Sequence, residues 1–355
     1  MGNLLWSGST ECGVDSPSAQ HGPWFLHPRQ LETWYNDNIQ LGTTEFDADC
    51  RKAVDGVVRY LHNICSTDRS LFDVSKVIKG GSLGKGTMVK DLSDVDLVAF
   101  INPPDMHSMG ELTPQRYRDQ LRAVLEKLEG ALILLPSVKI IRRDAYLINF
   151  SIEVQSSVDQ RRRVVDVDLL PTAHNIAEYA SLGELFEDML EMRGYDRGFY
   201  SASLVEHQRD FVKNQPGYVK ELIRLVKYWA YTNLPPTLRK SYPLELITIH
   251  CWEEAGEPSR FYKAQGLKDV LETLCDLSQL RTYWSSYYDE ALAEISIQTL
   301  RFKNPIVLDP ANPTANVCWA YQREENRTMI ENAALTTLQS TLLSNVEVRP
   351  KWSGW

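Results

Sequence analysis

Two aspartates separated by one residue, Asp94 and Asp96, stand in the segment KGGSLGKGTMVKDLSDVDLVAF, which runs from Lys79 to Phe100. In a β-strand, residues i and i+2 point to the same face, so this spacing predicts that the two carboxylates project together. Two like charges in an apolar strand repel each other and are costly to bury. A divalent cation bound between them would relieve both costs, and ligation by oxygen alone favours Mg²⁺ or Mn²⁺.

A third carboxylate that could complete such a site is offered by the later segment VVDVDLLP. Its two acids, Asp166 and Asp168, again stand two residues apart and are predicted to share one strand face. A site with two metal ions that share three aspartates suits in-line attack on a phosphate group. The residues alone do not decide which of the two is the third ligand.

The glycine-rich stretch before the aspartates does not match a Walker A phosphate loop. That motif requires Ser or Thr after its lysine, and here a glycine follows Lys85. The pattern instead predicts a turn at Gly80, Gly81 and Ser82, between a strand and a short helix. Its backbone amides and the Ser82 hydroxyl are suited to contact phosphate oxygens.

The elements around these residues change in character along the chain. The first half predicts short strands at DVSKVIKG and SDVDLVAFI, and a hairpin formed by LINFSIEVQ and RRVVDVDLLP. Between them, TPQRYRDQLRAVLEKLEGA predicts a helix with Thr113 as N-cap and Pro114 in its first position. From about residue 175 the apolar periodicity is helical almost throughout.

This order of elements predicts an α+β fold with two lobes and an active-site cleft between them. We expect a sheet lobe at 28–174 and a helical lobe at 175–345. Residues 1–27 lack periodicity and predict a flexible extension, and 346–355 predict a short tail.

Composition limits the classes of function. The formal net charge of −9 opposes nucleic-acid binding except at a local basic patch, and we expect no DNA partner. No apolar run approaches the roughly 20 residues that span a bilayer, so no membrane association is expected. The six cysteines are scattered without a C-x-x-C pair, which is typical of a reducing compartment and predicts a cytoplasmic protein.

Gly-Gly-Ser, a spacer and then Asp-x-Asp resembles the nucleotidyltransferase superfamily that includes DNA polymerase β and poly(A) polymerase. The longer string VSKVIKGGSLGKGT…SDVDLV resembles the 2′-5′-oligoadenylate synthases of animals. So do HQRDFVKN, LIRLVKYW, LELITIHCWE, AQGLKDVLE, YWSSYYD and VLDPANPT, in the family's order from roughly Leu31 to Ala320. The resemblance implies a polymerase-β-like nucleotidyltransferase sheet lobe joined to the helical lobe.

The activity implied by this resemblance is template-independent polymerisation of ATP into 2′-5′-linked oligoadenylates, with release of pyrophosphate, in innate antiviral sensing. Asp94, Asp96 and Asp168 would be the catalytic and metal-binding triad, with two Mg²⁺ ions, or Mn²⁺, as cofactor. Asp168 is chosen because it precedes Leu-Leu-Pro as the family's third aspartate does. Asp166 would be a neighbour on the same face.

ATP binding is expected at five residues. Ser82 and Lys85 belong to the glycine stretch. Arg224 and Lys227 lie three residues apart on one predicted helical face and interrupt an apolar pattern. By resemblance, Lys227 meets the donor phosphates and Tyr242 contacts the donor base.

The resemblance also implies activation by double-stranded RNA, which is recognised through its phosphates and 2′-hydroxyls. Lys79, Arg209 and Lys213 match RNA-contacting positions of the vertebrate enzymes. Two other such positions depart from the usual lysine, with His62 and Tyr218 in its place. The chain ends without the Cys-Phe-Lys motif that supports tetramers in one vertebrate member, so a monomer is expected.

Two alternatives stay open. A cyclic-dinucleotide synthase similar to cyclic GMP–AMP synthase would use the same triad, and Ser241, which stands where the oligoadenylate synthases usually carry Gln, keeps this alternative open. A catalytically silent RNA-binding module is disfavoured because all three aspartates are present. The basic run Arg161–Arg163 is a second candidate RNA patch, although its place after a hairpin turn favours a solvated sheet edge.

Overall fold

The computed structural model describes residues 22–67, 73–90, 92, 95–157, 160–348 and 352. These residues form two compact units. The sheet unit comprises 42–213 and 310–314, and the helical unit comprises 22–41, 214–309 and the described residues from 315 onward. Asp94, one of the three predicted metal ligands, lies outside the described residues.

The sheet unit is built on a five-stranded mixed sheet with the order β1-β2-β5-β4-β3. Strands β2 and β5 are parallel, and the other neighbouring pairs are antiparallel. The buried apolar run of β2 explains its position inside the sheet, where both of its edges are paired. The strands are β1 (Val74–Lys79), β2 (Val95–Ile101), β3 (Val138–Arg143), β4 (Ile148–Gln155) and β5 (Arg162–Thr172).

In the described part of the sheet unit there are six helices: α2 (Thr43–Thr67), α3 (Gly81–Lys85), α4 (Pro114–Ile133), α5 (Leu182–Glu191), α6 (Gly194–Ser203) and α7 (Val205–Lys213). The predicted start of α4 is confirmed. The hydroxyl of Thr113 accepts a hydrogen bond from the backbone nitrogen of Arg116, and Pro114 occupies the first helical position. The glycine turn is likewise followed by a short helix, α3.

Helices α6 and α7 cover part of one face of the sheet. Ala202 and Val205 from this helical segment pack in one apolar cluster with Val98 of β2 and Leu170 of β5. The compact units consequently divide after Lys213, whereas the predicted lobes divide after residue 174. Helical periodicity cannot show which sheet a helix packs on, because packing depends on contacts distant in sequence.

The helical unit contains α1 (Leu31–Tyr35), α8 (Gly217–Asn233), α9 (Ser241–Glu254), α10 (Lys263–Cys275), α11 (Glu290–Thr299) and α12 (Glu324–Leu338). Helices α8 and α12 are joined by a hydrogen bond from Trp229 Nε1 to Thr337 Oγ1 at 2.9 Å. The sequence predicts helix almost throughout the second half, but the structure also contains a second sheet. Its strands are β6 (Arg281–Thr282), β7 (Ile306–Asp309) and β8 (Asn312–Asn316). These strands have two to five residues, which is too short for a period-2 pattern to be recognised.

The beginning of the described chain differs from the predicted extension. The backbone nitrogen of Leu342 donates to the carbonyl of Trp24 at 3.1 Å, so structure begins before residue 28. Residues 28–41, predicted for the sheet lobe, lie in the helical unit, where Glu32 forms an ion pair with Lys263 at 2.6 Å. Across the described ranges, none of the helices has both the length and the apolar character needed to span a bilayer.

Candidate active site

A row of four polar residues crosses the sheet at one level. Asp96 of β2 is the register partner of Asp168 of β5, Asp168 is the partner of Asn149 of β4, and Asn149 is the partner of Arg142 of β3. Side chains of register partners in neighbouring strands project to the same face. Two of the three predicted metal ligands, Asp96 and Asp168, are therefore neighbours.

The carboxylate of Asp168 accepts a hydrogen bond from one side-chain amide, and this bond offsets only part of the cost of burying its charge. Asn149 Nδ2 donates to Asp168 Oδ1 at 2.8 Å. Burial raises the pKa of the Asp168 carboxyl, and the hydrogen bond from Asn149 and the charge of Arg142 oppose this rise. Burial also raises the pKa of Asp166, two residues earlier on the same strand. The fold thus keeps carboxylates on this face at a cost that a bound cation would reduce.

The donor set suits a hard divalent cation. Asp96 and Asp168 supply carboxylate oxygens from adjacent strands, which is the ligand type that Mg²⁺ and Mn²⁺ prefer. Within the described ranges no group of three or more His, Cys, Asp or Glu side chains could hold a metal ion, and the predicted third carboxylate, Asp94, is outside them. The residues present fit a divalent metal ion, the general cofactor of nucleotidyltransferases.

The glycine turn packs directly on Asp96. The backbone nitrogen of Gly80 donates to the carbonyl of Asp96 at 2.8 Å. Gly81 has φ of +53°, and a Cβ added there would overlap with Asp96 Oδ2. Only glycine combines the left-handed conformation with this close approach. The turn therefore fixes the position of the Asp96 carboxylate.

The two predicted ATP contacts of the sheet unit lie in α3, immediately after this turn. Ser82 and Lys85 are both buried, and Lys85 is 2% exposed. The helix ends at Gly86, whose φ of +73° is the left-handed C-cap that favours glycine. The glycines of this stretch therefore have structural reasons to be glycine, and the predicted turn and short helix are confirmed.

The other three predicted ATP contacts lie in the helical unit. Lys227 of α8 is 7% exposed and stands 3.8 Å from Glu245 of α9, which is fully buried. Arg224, one turn earlier, donates to Gln40 Oε1 at 3.4 Å. The sequence indicates the two cations, but not the acid that faces Lys227.

Tyr242 of α9 is buried. Its hydroxyl donates to Asp309 Oδ1 at 2.8 Å, and burial holds the pKa of the phenol well above its ordinary value. The predicted contact of Tyr242 with a nucleotide base stays a prediction, because in this structure the hydroxyl is bonded within the helical unit. The partner, Asp309, stands in the family-like segment VLDPANPT, which gave no indication of this pairing.

The predicted RNA contacts all lie in the sheet unit and carry acidic neighbours. Lys79 Nζ is 2.5 Å from Asp55 Oδ1. Arg209 Nε donates to Asp210 Oδ1 at 2.8 Å, and Glu206 is 3.9 Å away. The hydrogen bond to Asp210 holds the pKa of Arg209 above its ordinary value, so this side chain stays charged.

Helix α7, which carries Arg209 and the exposed Lys213, packs against the glycine turn and α3. A Cβ added to Gly80 would lie 3.1 Å from Val205 Cγ2, and one added to Gly84 would lie 3.3 Å from Arg209 Cδ. The basic residues of α7 and the turn that positions Asp96 are therefore parts of one packed assembly. This proximity is not visible in the sequence, where some 125 residues separate them.

The two positions where the expected lysines are replaced have different surroundings. Tyr218 of α8 belongs to an aromatic cluster, with ring centroids 6.2 Å from Trp252 and 5.9 Å from Phe261. This packing gives Tyr218 a structural role in the helical unit. His62 lies on α2 in the sheet unit and is partly exposed.

Fold and site together define a nucleotidyltransferase, and residues 58–170 match the family model "Nucleotidyltransferase domain". The structure is similar to that of CdnC from Escherichia coli MS115-1 in a complex with HORMA-deltaN, with a TM-score of 0.54 at 20% identity, over 88% of this chain and 90% of that chain. At this identity the similarity shows the fold alone.

Residues 178–354 match the family model "2'-5'-oligoadenylate synthetase 1, domain 2, C-terminus". The chain is 33% identical to 2'-5'-oligoadenylate synthase 1A of Rattus norvegicus, over 83% of this chain and 87% of that protein. It is 34% identical to the protein of the same name from Mus musculus, over 84% of each. The inactive 2'-5'-oligoadenylate synthase 1B of Rattus norvegicus is 30% identical, over 83% of this chain and 81% of that protein. The chain belongs to the 2′-5′-oligoadenylate synthase family, which confirms the resemblance.

Proposed function

We propose that this protein polymerises ATP into 2′-5′-linked oligoadenylates without a template and that double-stranded RNA activates it. The observation that carries the proposal is the pairing of Asp96 with Asp168 in register on adjacent strands, with burial raising the pKa of Asp168, in a chain of this family. We also propose that it acts in innate antiviral sensing, as a cytoplasmic monomer.

In the proposed reaction, the 2′-oxygen of one ATP forms a bond to the α-phosphorus of another, and the bond from that phosphorus to the bridging oxygen of the β-phosphate breaks. Asp168 takes the proton of the attacking hydroxyl, and pyrophosphate leaves. Two Mg²⁺ ions, held by Asp94, Asp96 and Asp168, would supply Lewis-acid stabilisation of the phosphate charge when bound.

The roles of the other residues follow from their type and position. Ser82 and Lys85, in α3, and Lys227, in α8, bind the donor triphosphate, because a hydroxyl and two ammonium groups suit phosphate oxygens. Arg224 supports the nucleotide beside Lys227. The ring of Tyr242 contacts the donor base, while its hydroxyl stays bonded to Asp309.

Activation by RNA is supported by the packing of α7. A duplex bound at Lys79, Arg209 and Lys213 exchanges their acidic neighbours for phosphates. Because Arg209 packs against Gly84 and Val205 packs against Gly80, movement of α7 reaches the turn that holds Asp96. RNA binding and the geometry of the aspartates are thereby linked.

The test of the activity is an incubation with ATP, GTP and Mg²⁺, with and without a long RNA duplex. Products are identified by mass and by resistance to a nuclease specific for 3′-5′ linkages. We expect a resistant adenylate ladder that grows with RNA and is absent from Asp96→Asn. A single cyclic dinucleotide would place the protein with cyclic-dinucleotide synthases, and RNA binding without any product would identify a silent RNA-binding module.

The test of the RNA site compares two pairs of charge reversals. Arg209→Glu with Lys213→Glu should abolish the stimulation by RNA, measured as the ratio of product formed with and without the duplex. The matched control is Arg161→Glu with Arg162→Glu, in the basic run after the β4–β5 hairpin, where the side chain of Arg162 is 74% exposed. If the control pair loses stimulation and the α7 pair keeps it, the RNA site lies at the hairpin.

A further inference from the structure

The strand order separates two sides of the aspartate row. The glycine turn and α3, with the proposed donor contacts Ser82 and Lys85, follow β1 on one side of Asp96. Asp168 and Asn149 lie on the other side, toward β4 and β3. In-line phosphoryl transfer requires the attacking oxygen and the leaving group on opposite sides of the reacting phosphorus. Given the proposed function, on which this inference rests, the acceptor nucleotide approaches over β4 and β3.

A β-bulge determines which residue of β3 stands on that side. Ile140 pairs with Phe150, and regular antiparallel pairing would then place Ile141 opposite Asn149. The register shifts at this point, and Arg142 becomes the partner of Asn149 instead. Bulges beside functional sites commonly redirect a side chain in this way. Here the shift replaces an apolar side chain with a guanidinium at the end of the aspartate row.

Arg142 is held in place by the turn between β3 and β4. Its Nη1 donates to Asp144 Oδ2 at 2.7 Å. The other oxygen, Asp144 Oδ1, accepts from the backbone nitrogens of Tyr146 at 2.8 Å and Leu147 at 3.0 Å. One carboxylate therefore fixes both the turn and the guanidinium. Such preorganisation is what a residue that orients a substrate requires.

The position of Arg142 suits a bound anion better than a purely structural ion pair. Its side chain is 35% exposed, so a ligand has access to it. A guanidinium carries five N–H donors, so it can bond a carboxylate and a phosphate together. It lies two strands from Asp168, about 10 Å between α-carbons at the usual strand spacing, within the span of a nucleotide whose hydroxyl meets Asp168.

The neighbouring arginine provides an internal contrast. Arg143 belongs to the same strand, but its partner is Ile148, which is buried on the opposite face of β4. It forms ion pairs with Glu126 at 3.7 Å and Glu129 at 3.3 Å, both on α4. Its charge is therefore engaged in holding β3 to α4. A variant at Arg143 removes a positive charge from the same strand without altering the aspartate row.

We propose that Arg142 binds a phosphate group of the acceptor nucleotide whose 2′-hydroxyl meets Asp168. The donor triphosphate, bound from the α3 side, makes no contact with Arg142. Arg142 is thus a specificity-determining residue for the acceptor, which enters as a nucleoside triphosphate or as the triphosphate end of a growing chain.

The experiment assigns each nucleotide a single role in the presence of saturating RNA duplex and Mg²⁺. The donor is 2′-deoxyadenosine triphosphate, which has no 2′-hydroxyl to act as acceptor. The acceptor is the α,β-methylene analogue of ATP, whose carbon bridge cannot be cleaved. Arg142→Gln should raise KM for the acceptor about tenfold, the loss expected for one charge-assisted phosphate contact, and change KM for the donor and kcat less than about twofold. Arg142→Lys should give an intermediate KM, because it keeps the charge but not the planar fork.

Arg143→Gln is the matched control and should leave both KM values within about twofold of the wild type. An unchanged acceptor KM in Arg142→Gln overturns the proposal. So does an equal rise in both KM values, or a lower kcat with both KM values unchanged, since either indicates a general structural role. If the wild-type protein forms no 2′-5′ product from this pair, the proposed function fails and the role of Arg142 falls with it. If the wild type forms it and Arg142→Gln is unaffected, only the role of Arg142 fails.

Discussion

Buried acids are treated differently in the two units. In the sheet unit, Asp168 receives a hydrogen bond from Asn149, yet burial still raises the pKa of its carboxyl. In the helical unit, Asp309 is 2% exposed and accepts a hydrogen bond from the hydroxyl of Tyr242. Glu245 is fully buried and faces Lys227. The deeper acids face donors that the fold supplies. The shallower one, Asp168, keeps a charge whose burial its partners offset only in part.

A functional acid can be distinguished from a structural one by what its neutralisation costs. A structural acid is paired by the chain itself, and removing its partner should mainly cost stability. A functional acid stands where its charge is costly until the ligand binds, so neutralising it should cost activity and spare stability. Substitutions of acids in the two units should therefore separate loss of activity from loss of stability.

Asp168→Asn should lower oligoadenylate synthesis at least about a thousandfold, because it removes both a metal ligand and the acceptor of the hydroxyl proton. The melting temperature should not fall, since Asn removes a costly charge and its carbonyl still accepts the hydrogen bond from Asn149. The activity is checked by product formation in the presence of RNA, and the stability is checked by thermal unfolding of the same preparations.

Asp166→Asn is the control for this variant, because Asp166 lies two residues earlier on the same strand face and burial also raises the pKa of its carboxyl. It should lose less than about tenfold in activity, as expected of a residue that only contributes to the local field. The reverse outcome, with Asp166→Asn inactive and Asp168→Asn active, would exchange the two assignments.

Gly81→Ala should lower activity about a hundredfold, because the added methyl group overlaps with Asp96 Oδ2 and the φ of +53° is strained for alanine. The turn must then shift and carry the carboxylate with it. The decrease should appear in kcat. Gly130→Ala is the control, since α4 is helical there and a Cβ meets nothing within 4 Å. Equal activity of the two variants would show that the turn does not position Asp96.

Some of this site was predictable from sequence, for a physical reason. Strand alternation has a period of two, so Asp96 and Asp168 could be assigned to strand faces from their own neighbours. The N-cap of α4 is likewise a local feature of Thr113 and Pro114. Which strands are adjacent, and in which register, is decided by contacts between distant segments, so the pairing of Asp96 with Asp168 became visible only in the structure.

The missed residues share this dependence on distant contacts. Arg142 reaches the aspartate row through a bulge, and regular pairing of β3 without that bulge would place Ile141 there. Asp309 and Tyr242 are 67 residues apart, and neither short motif predicts the bond between them. The sequence indicates which side chains can bind a metal ion or a phosphate, but not which side chains they contact in the fold.

Tyr242→Phe tests whether Asp309 is a structural acid, whose loss of a partner costs stability rather than activity. It removes the hydroxyl that Asp309 accepts and leaves a carboxylate at 2% exposure with one donor fewer, which should lower the free energy of unfolding by about 1–3 kcal/mol. Activity per folded molecule should stay within a few-fold, because the ring remains to meet the base. Urea unfolding and the KM for ATP are the measurements.

Asp309→Asn serves as the second member of a double-mutant cycle with Tyr242→Phe. The two losses of stability should be less than additive, because both variants remove the same hydrogen bond. Full additivity would mean that the bond contributes nothing. A large rise in the KM for ATP at unchanged stability would place the Tyr242 hydroxyl on the substrate rather than on Asp309.

Glu253 tests whether a raised pKa alone marks a functional acid. Burial raises the pKa of this carboxyl in the helical unit to about 7. Its Oε2 accepts a hydrogen bond from Trp284 Nε1 at 2.8 Å. A carboxyl whose folded pKa exceeds its unfolded value near 4.5 contributes stability at low pH, and this contribution is lost as the pH rises to about 7. Glu253→Gln has no charge to gain as the pH rises, so it does not lose this stability, and its amide oxygen still accepts the hydrogen bond from Trp284. It should therefore melt about 2 °C higher than the wild type at pH 8, with the difference disappearing toward pH 4.5.

Activity of Glu253→Gln should equal that of the wild type, because the expected site requires a second carboxylate on the same face and not only a costly charge. The neighbouring exposed acid gives the comparison. The charge of Glu254 is a minor cause of the raised pKa of Glu253, after burial, so Glu254→Gln should weaken the dependence of melting temperature on pH without abolishing it. If Glu253→Gln instead lost activity as Asp168→Asn does, the paired geometry of Asp96 and Asp168 would no longer be what separates the sheet unit from the helical unit. A raised pKa would then be a sufficient mark of function in this fold, and the acids of α9 would have to be included in the catalytic machinery.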